Sequence, residues 1–249
     1  VDAIGGHIGN RSSGCYYWLM SSTNPFPSTP NFLRALVLAI SLLLSTSLLA
    51  SCSSKDESTP TESAAAGCEP ATATAREVSS VGAPQEFLKG ERYTLTLSTN
   101  CGDIEIAADA KNAPATVSAI GFLANAKYFD NTLCHRLTTS GIFVLQCGDP
   151  TASGSGGPGF TFPDENLPVA SGVNYPKGTV AMANSGPNTN GSQFFLVYAD
   201  TVLGPNYTIW GEITKGLEIL ENIAAAGTSD GGPDGAPKNP VEIRSAKLQ

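Results

Sequence analysis

The chain has 249 residues, enough for one domain of ordinary size with additional segments. Its formal net charge of -8 and its pI near 4.7 argue against a polyanion such as nucleic acid as the main partner. The 26 glycines and 17 prolines favour a turn-rich β protein over a helical one.

The N-terminal part of the chain has the pattern of a leader. Residues 35–50 form an apolar run behind Arg34. The run is short for a membrane-spanning helix, which needs about 20 apolar residues, but it has the length of a secretory signal core. The letters LLASC then end at Cys52 and resemble the lipobox of bacterial lipoproteins, which implies cleavage before Cys52 and lipidation of its thiol. A plain secretory signal and a retained transmembrane anchor are the alternatives.

Residues 1–51 are therefore predicted to be a leader, with an over-extended start and Met20 as the expected true start. Residues 52–87 are dominated by Ser, Thr, Ala, Pro and Glu, a composition that cannot bury enough apolar surface to order itself. They are predicted to form a disordered tether ahead of a folded domain over 88–249. The lipobox places that domain at the cell membrane, lipid-anchored on its extracytoplasmic face, and we expect a monomer.

The folded part begins with alternating apolar and polar residues over 92–108, which predict a hairpin. Residues 112–127 predict a helix capped by Asn112, and residues 215–226 predict a second helix capped by Thr214. Between and after the helices lie short apolar runs separated by Gly, Pro and Asn turns: GIFVLQC, GFTF, GTVAMA, SQFFLVYA, YTIWGEI and VEIRSAKL. This order predicts a mainly β protein, an antiparallel sheet closed into a barrel with helices at its ends.

The stretch CHRLTTSGIFVLQCGDP first suggests metal or nucleophile chemistry. Cys134 and Cys147 are not spaced as C-x-x-C, and His135 is the only histidine after Cys52, whereas structural zinc sites use close ligand pairs. Cys134 and His135 are also neighbours, and a strand turns neighbours to opposite faces. Both a zinc site and a thiol–imidazole pair are therefore disfavoured.

The sequence also argues against a serine hydrolase site and a nucleotide-binding site. Ser192 stands in NGSQ, which lacks the G-x-S-x-G elbow. Residues 154–159, GSGGPG, match G-x-G-x-x-G, but that fingerprint must open a helix after a strand, and Pro158 argues against a helix here. A surface loop is the simpler interpretation, and we expect neither a metal nor a cofactor.

Strand alternation directs attention to Arg136 and Gln146, which come within reach of each other if the residues between them form a hairpin. An arginine cannot lose its charge and so cannot act as a base. It can hold a planar fork of donors beside an apolar surface. A surface arginine in an ion pair is the alternative for Arg136 taken alone.

Four motifs then occur in one order along the chain: FDNTLCHR, LQCGDPTASGSGGPG, MANSGPNTNGSQFF and VEIRSA. Together they resemble the cyclophilin family of peptidyl-prolyl cis/trans isomerases, over residues 92–247, and the CHRLTT segment resembles its actinobacterial lipoprotein branch. The resemblance implies a closed eight-stranded antiparallel barrel capped by two helices. It also implies isomerisation of X-Pro bonds in proline-containing polypeptides, without a cofactor.

By resemblance, Arg136 is the catalytic arginine and Gln146 is its hydrogen-bonded neighbour. The family pattern further implies a proline pocket and a substrate-binding rim, formed by Phe143, Val144, Phe195, Leu203, Ala183, Asn184, Gln193 and Tyr207. The implied mechanism is stabilisation of the twisted amide by the arginine while the apolar pocket holds the proline ring.

The chain departs from the family pattern in the length of one hairpin and at several single positions. Arg136 and Gln146 are ten positions apart, two more than usual, so the hairpin tip should differ. Val202 replaces the usual pocket-rim Trp, and Tyr207 replaces the usual His. These changes imply a shallow rim and weak binding of the cyclic peptide cyclosporin. Trp210 falls where the family usually has Phe and is expected in the core.

Four cysteines follow Cys52, and an even number outside the cytoplasm suggests disulfides. Cys134–Cys147 and Cys68–Cys101 are the candidate pairs. If Arg136 shares a face with its partner across the hairpin, then Cys134 lies on that face and Cys147 points away. A Cys134–Cys147 bridge therefore needs a bulge or the end of a ladder, and whether either pair forms stays open.

Overall fold

The computed structural model of the protein describes residues 67–249, which form a sheet and two helices. The helices are α1 (Pro114–Asn125) and α2 (Leu217–Ala226). The strands are β1 (Arg92–Thr99), β2 (Gly102–Asp109), β3 (Thr132–Cys134), β4 (Arg136–Ser140), β5 (Ile142–Cys147), β6 (Thr179–Met182), β7 (Phe194–Val197), β8 (Ile209–Lys215), β9 (Asp234–Gly235) and β10 (Val241–Leu248).

The sheet has ten strands in the order β3-β10-β1-β2-β8-β6-β7-β5-β4-β9, and all neighbours are antiparallel. The mainly β architecture with two helices is confirmed, but the closed eight-stranded barrel is not, because β3 and β9 are end strands. The difference arises at His135, the single residue between β3 and β4. β3 pairs with β10, whereas β4 pairs with β5. Because β3 and β4 are separate strands, no single strand joins β10 to β5, and the barrel is not closed. The two-residue β9 adds a further edge beside β4.

The sheet separates two apolar clusters because successive strand residues point to opposite faces. The main core takes alternate residues from the strands and the inner faces of both helices, and Trp210 is fully buried in it. The indole packs edge-on against the Phe194 ring, with centroids 5.9 Å apart, so the expectation that Trp210 is a core residue is confirmed. The smaller cluster lies around Val144, Phe195 and Val197, on the other face of β5 and β7.

The N-terminus of α1 is capped from a distant loop and not by Asn112, so that prediction is wrong. The Asn112 side chain donates to Asp109 instead. The carboxylate of Glu165 accepts the main-chain N–H of Ala115 at 3.0 Å and of Thr116 at 2.9 Å. A carboxylate suits this position because the first N–H groups of a helix lack intrahelical partners and carry partial positive charge.

We expect Glu165→Ala to lower the free energy of unfolding by about 1–2 kcal/mol, because two N–H groups lose their acceptor. Urea denaturation monitored by circular dichroism measures the change. Glu91→Ala is the matched control, since Glu91 is exposed and its carboxylate lies 3.9 Å from the Lys111 ammonium. Equal losses in the two variants would contradict the capping role.

The second helix begins at Leu217, later than predicted, and Thr214 does not cap it. Thr214 belongs to β8, where its hydroxyl donates to the carbonyl of Glu105. Gly216 makes the transition from strand to helix with φ +85°. A Cβ there would lie 2.5 Å from the carbonyl oxygen of Asp103, so glycine is required by both conformation and space.

The predicted tether differs from the structure where the structure describes it. Residues 67–82, here called the N-terminal strap, have no regular secondary structure and lie against the domain. The main-chain N–H groups of Glu69, Arg76 and Val81 donate to the carbonyl oxygens of Asn100, Pro150 and Pro158 at 2.8–2.9 Å. A polar segment that builds no core of its own can still be ordered by placing its amides on a neighbouring domain, and Val78 and Val81 also pack against the main core.

The leader, Met20, Cys52 and the first part of the tether lie outside the described residues. No helix within 67–249 is both long and apolar enough to span a membrane.

Residues 67–249 contain two disulfides, Cys68–Cys101 and Cys134–Cys147, with Cα atoms 4.0 Å apart in each. The first attaches the N-terminal strap beside the β1–β2 turn. The second satisfies the condition of strand parity because it lies beyond the last ladder pair, Arg136 with Gln146. Cys134 ends β3 and Cys147 ends β5, so the bridge joins two strand ends.

Candidate active site

Three neighbouring strands place Arg136, Gln146 and Phe195 in one row across the sheet. Arg136 on β4 pairs with Gln146 on β5, and Gln146 pairs with Phe195 on β7. Residues directly opposite one another in a ladder share a face and have Cβ atoms about 5 Å apart. The expected hairpin and the contact between Arg136 and Gln146 are therefore both present, on the face that carries the smaller apolar cluster.

This face holds a pocket of about 180 Å³. Its walls are Arg136, Ile142, Val144, Gln146, Ala183, Asn184, Phe195, Leu203 and Tyr207. Val144 is 3% exposed and Phe195 is 5% exposed, so the floor is apolar, whereas the guanidinium and the amides stand at the edge. The structure thus brings together most of the side chains that the family pattern implied for substrate binding.

Phe143 is the exception to the implied pocket. It follows Ile142 and precedes Val144 on β5, so it points to the opposite face of the strand, where its ring packs edge-on against Tyr198. Ile142 lines the pocket in its place. Ile142 stands directly after the tip residue Gly141, which has φ +76°, so the longer hairpin delivers this side chain.

The guanidinium of Arg136 has three hydrogen bonds. Nε donates to Oδ1 of Asp234 and Nη2 donates to Oδ2, both at 2.7 Å. Nη1 donates to Oε1 of Gln146 at 3.3 Å. The hydrogen bond to Asp234 raises the pKa of Arg136, and the same bond lowers the pKa of Asp234. Both groups are therefore charged across the physiological pH range.

The hydrogen bonds continue from the arginine through two amides. Nε2 of Gln146 donates to Oε1 of Gln193 at 2.9 Å, and Nε2 of Gln193 donates to the carbonyl of Gly156 at 2.9 Å. Gln193 therefore lies one step behind the pocket wall. It faces a second, larger and more polar hollow of about 430 Å³, which is lined by residues 154–161 and shares Gln146, Ala183 and Asn184 with the first.

Asp149 organises the loop that forms the wall of the larger hollow. Its carboxylate is fully buried and accepts N–H groups and hydroxyls from Thr151, Ser153, Gly154 and Gly156. Burial tends to raise the pKa of this carboxyl, but the hydrogen bonds outweigh burial and hold the pKa below its ordinary value of 3.8. The glycines permit the close approach, since a Cβ on Gly156 would lie 2.0 Å from Oδ1.

A buried tyrosine supports the opposite wall of the first pocket. The hydroxyl of Tyr175 accepts the N–H of Tyr207 at 3.1 Å and lies 3.2 Å from its carbonyl oxygen. The Phe195 ring packs against both tyrosines. On the same side, Nδ2 of Asn184 donates to the carbonyl of Asn206 at 2.8 Å. These contacts fix the chain that carries Leu203 and Tyr207.

The His135 side chain lies outside the hydrogen-bond network of the pocket. Both ring nitrogens are buried and have no hydrogen-bond partner among the described residues. Burial, aided by the nearby Arg136 charge, lowers the pKa of His135 despite the opposing Asp149 charge. Its main-chain N–H donates to the carbonyl of Gln146, next to the disulfide. Within residues 67–249, no group of three or more His, Cys, Asp or Glu side chains could hold a metal ion.

Several residues of the site were missed from the sequence. Ile142 was overlooked because the family pattern pointed to its neighbour. Asp149 lies in the motif LQCGDPTASGSGGPG but has no predicted role of its own, and Tyr175 lies outside the apolar runs that predicted strands. Asp234 stands in the glycine- and proline-rich stretch TSDGGPDGAPKNP, 98 positions after Arg136, where no local pattern indicates a partner.

Comparison with known proteins gives the same answer as the motifs. The family model described as "Cyclophilin type peptidyl-prolyl cis-trans isomerase/CLD" matches residues 94–248. A "Probable peptidyl-prolyl cis-trans isomerase B" of Mycobacterium leprae is 48% identical over 164 residues, covering 61% of this chain and 56% of the relative. Its Mycobacterium tuberculosis counterpart is 45% identical over 172 residues, covering 63% and 54%. The chain thus spans little more than half the length of these curated relatives.

Two further relatives match over most of their own length. The "Peptidyl-prolyl cis-trans isomerase B" of Streptomyces anulatus is 39% identical over 157 residues, which cover 56% of this chain and 87% of that protein. A Cryptosporidium parvum cyclophilin-type isomerase has a crystal structure that matches with a TM-score of 0.55 and 27% identity, covering 64% of this chain and 98% of that one. The chain therefore belongs to the family of cyclophilin-type peptidyl-prolyl cis/trans isomerases.

Proposed function

We propose that the protein catalyses cis/trans isomerisation of X-Pro bonds in polypeptide substrates, with Arg136 as the catalytic residue. The observation that carries the proposal is a permanently charged guanidinium, held by hydrogen bonds at the edge of an apolar pocket of about 180 Å³. The pocket suits a proline ring in polarity. The same C. parvum isomerase was also crystallised in the presence of the dipeptide Ala-Pro, which supports a proline-containing substrate here.

The reaction needs no covalent intermediate. An amide resists rotation by ~18–20 kcal/mol because its nitrogen donates a lone pair into the carbonyl. When the bond is twisted, that lone pair is localised on the prolyl nitrogen and can accept a hydrogen bond. A guanidinium N–H of Arg136 aimed at this nitrogen binds the twisted state better than either planar state, and such differential binding lowers the barrier.

Donor geometry leaves Arg136 free to do so. A guanidinium has five N–H groups. Among the described residues, Asp234 takes two and Gln146 takes one, so one N–H remains on each of the two terminal nitrogens. Val144 and Phe195 would hold the proline ring against the floor while the chain on the other side of the bond turns. We assign Ala183 and Asn184, which border both hollows, to the flanking substrate backbone.

The setting of the reaction is also part of the proposal. LLASC supports cleavage before Cys52, lipidation of that thiol and a tether to the extracytoplasmic face of the cell membrane. We propose a monomeric enzyme in this setting. The two disulfides support the same setting, because disulfides persist in oxidising compartments and are rare in the cytosol. The substrates would then be exported proteins whose folding waits on X-Pro bonds.

Exchange NMR of an Ala-Pro-containing peptide tests the activity. The full chain, purified in mild detergent, is added at a small fraction of the peptide concentration. We expect exchange cross-peaks between the cis and trans signals, because the uncatalysed process takes tens to hundreds of seconds. Peptide binding without exchange would instead indicate a binding module or holdase for proline-containing chains, and would refute the proposed activity.

A further inference from the structure

We propose that Asp234 is a positioning residue for the isomerase reaction, which fixes the guanidinium of Arg136 in the orientation that the twisted amide requires. The inference rests on the proposed function. Asp234 does not line the pocket of about 180 Å³ and acts only through Arg136.

The pairing between the two side chains has the geometry of a planar fork. Both carboxylate oxygens are 2.7 Å from a guanidinium nitrogen, one from Nε and one from Nη2. Parallel charge-assisted bonds of this kind define the plane of the guanidinium as well as its position. The single bond to Gln146, at 3.3 Å, could not do this alone, since one bond leaves the plane free to rotate.

The loop that carries Asp234 is built against β4. The N–H of Thr139 donates to the carbonyl of Pro233 at 2.8 Å, and Asp234 pairs with Thr138 in the ladder. Farther back, Oδ1 of Asp230 accepts the N–H of Gly232 and the hydroxyl of Thr228. The bonds of Asp230 therefore stay within residues 228–232, whereas Asp234 reaches out of the loop to Arg136.

The arrangement matters for catalysis because the arginine is not held by burial. The Arg136 side chain is 39% exposed and the Asp234 side chain is 50% exposed. An exposed arginine would sample many rotamers, and only a few of them point a terminal N–H at the pocket. Misplacement of a reacting group by about 1 Å can cost up to 10²-fold in rate. We expect loss of Asp234 to cost about 5- to 20-fold, since Gln146 still restrains one nitrogen.

The experiment compares Asp234→Asn, Asp234→Glu and Asp230→Asn in the full chain. We expect Asp234→Asn to lower kcat about 5- to 20-fold with KM changed less than twofold, because the walls of the pocket stay intact. Asp234→Glu keeps two acceptors and should recover at least half of the loss on a logarithmic scale. Asp230→Asn is the matched control, from the same loop. Its amide keeps one acceptor oxygen in place of Oδ1, which accepts both bonds of Asp230, so the loop should stay intact and kcat should be unchanged.

An equal loss of kcat in Asp230→Asn would overturn the proposal, because a general disturbance of the loop would then explain both. A change of less than twofold in Asp234→Asn would overturn it too. The proposal would also be overturned if Asp234→Asn caused its full loss of kcat in an Arg136→Ala background. A residue that acts through Arg136 has nothing left to position there.

A second measurement does not depend on activity. The Nε–H signal of Arg136 in a ¹H–¹⁵N spectrum, assigned by its loss in Arg136→Lys, should be protected from exchange with water. It should remain so in Asp230→Asn and exchange rapidly in Asp234→Asn. If the signal behaves in this way but the wild-type protein does not isomerise the peptide, the pairing stands and the proposed function fails. If the wild type is active and the signal is unprotected, the positioning role fails.

Discussion

Arg136→Ala is expected to lower kcat/KM for an X-Pro peptide by about 100-fold, since removing one preorganised donor to a transition state typically costs 10²–10³-fold. The loss should fall on kcat, because the donor contacts the prolyl nitrogen only in the twisted state, while the apolar floor that binds the ring is unchanged. Exchange NMR at several peptide concentrations separates kcat from KM.

Two companion variants define what the arginine contributes. Arg136→Lys keeps the charge but not the fork, so it should be intermediate in activity. Arg244→Ala is the matched control, because Arg244 also forms a 2.6 Å ion pair, with Glu69, away from the pocket. It should leave the kinetics unchanged. A loss of less than tenfold in Arg136→Ala would contradict the catalytic assignment. If Arg136→Ala kept both its affinity for the peptide and its full exchange activity, Arg136 would have no catalytic role.

Asp149→Asn is expected to lower the free energy of unfolding by about 3 kcal/mol at neutral pH. The carboxylate is fully buried and accepts four N–H groups and two hydroxyls. An amide offers one acceptor oxygen and turns an NH₂ toward the remaining donors, and each donor left without a partner costs about 1–3 kcal/mol. Urea denaturation gives the change. Asp200→Asn is the control, since Asp200 is exposed and accepts one N–H, from Lys177.

The loss in Asp149→Asn should also depend on pH. The folded-state pKa of Asp149 lies below its ordinary value of 3.8. A group with a depressed folded pKa contributes stability that is fully present above its unfolded pKa and is lost as the pH falls through the folded pKa. The difference between wild type and Asp149→Asn should therefore be constant from neutral pH to about pH 5 and should shrink below about pH 4. A difference that grew on acidification would contradict the ionised, hydrogen-bonded state.

Local sequence patterns predicted the elements that depend on neighbours in the chain. Alternation over 92–108 predicted the β1–β2 hairpin, and ladder pairs run from Arg92 with Asp109 to Thr99 with Gly102. Alternation also predicted that Arg136 and Gln146 meet across a hairpin. Strand parity also predicted that a Cys134–Cys147 bridge needs a bulge or the end of a ladder. The observed bridge lies at a ladder end. These features follow from the two-residue period of a strand, which the sequence displays directly.

Features that join distant segments were not predictable in this way. Glu165 caps α1 from 49 to 50 positions away, and Asp234 reaches Arg136 from 98 positions away. A carboxylate in a polar loop looks the same in sequence whether or not a helix end or a guanidinium lies opposite. The predicted closed barrel is wrong for a related reason. A single residue, His135, decides whether β3 and β4 form one strand or two.

The hydrogen bonds that run from Arg136 through the amides of Gln146 and Gln193 all point in one direction, and Arg136 imposes that direction. A guanidinium only donates, so Gln146 must turn its oxygen toward Arg136 and its NH₂ toward Gln193, and Gln193 must in turn face Gly156 with its NH₂. A substrate carbonyl entering the larger hollow can take over the Gln193 NH₂ and leave this order intact. A substrate donor at the same place would need the oxygen of Gln193, so both the Gln193 and the Gln146 amides would have to turn round. The NH₂ of Gln146 would then face the guanidinium, which also only donates. At Gln193 the larger hollow therefore favours an acceptor, and that preference originates at the arginine of the neighbouring pocket.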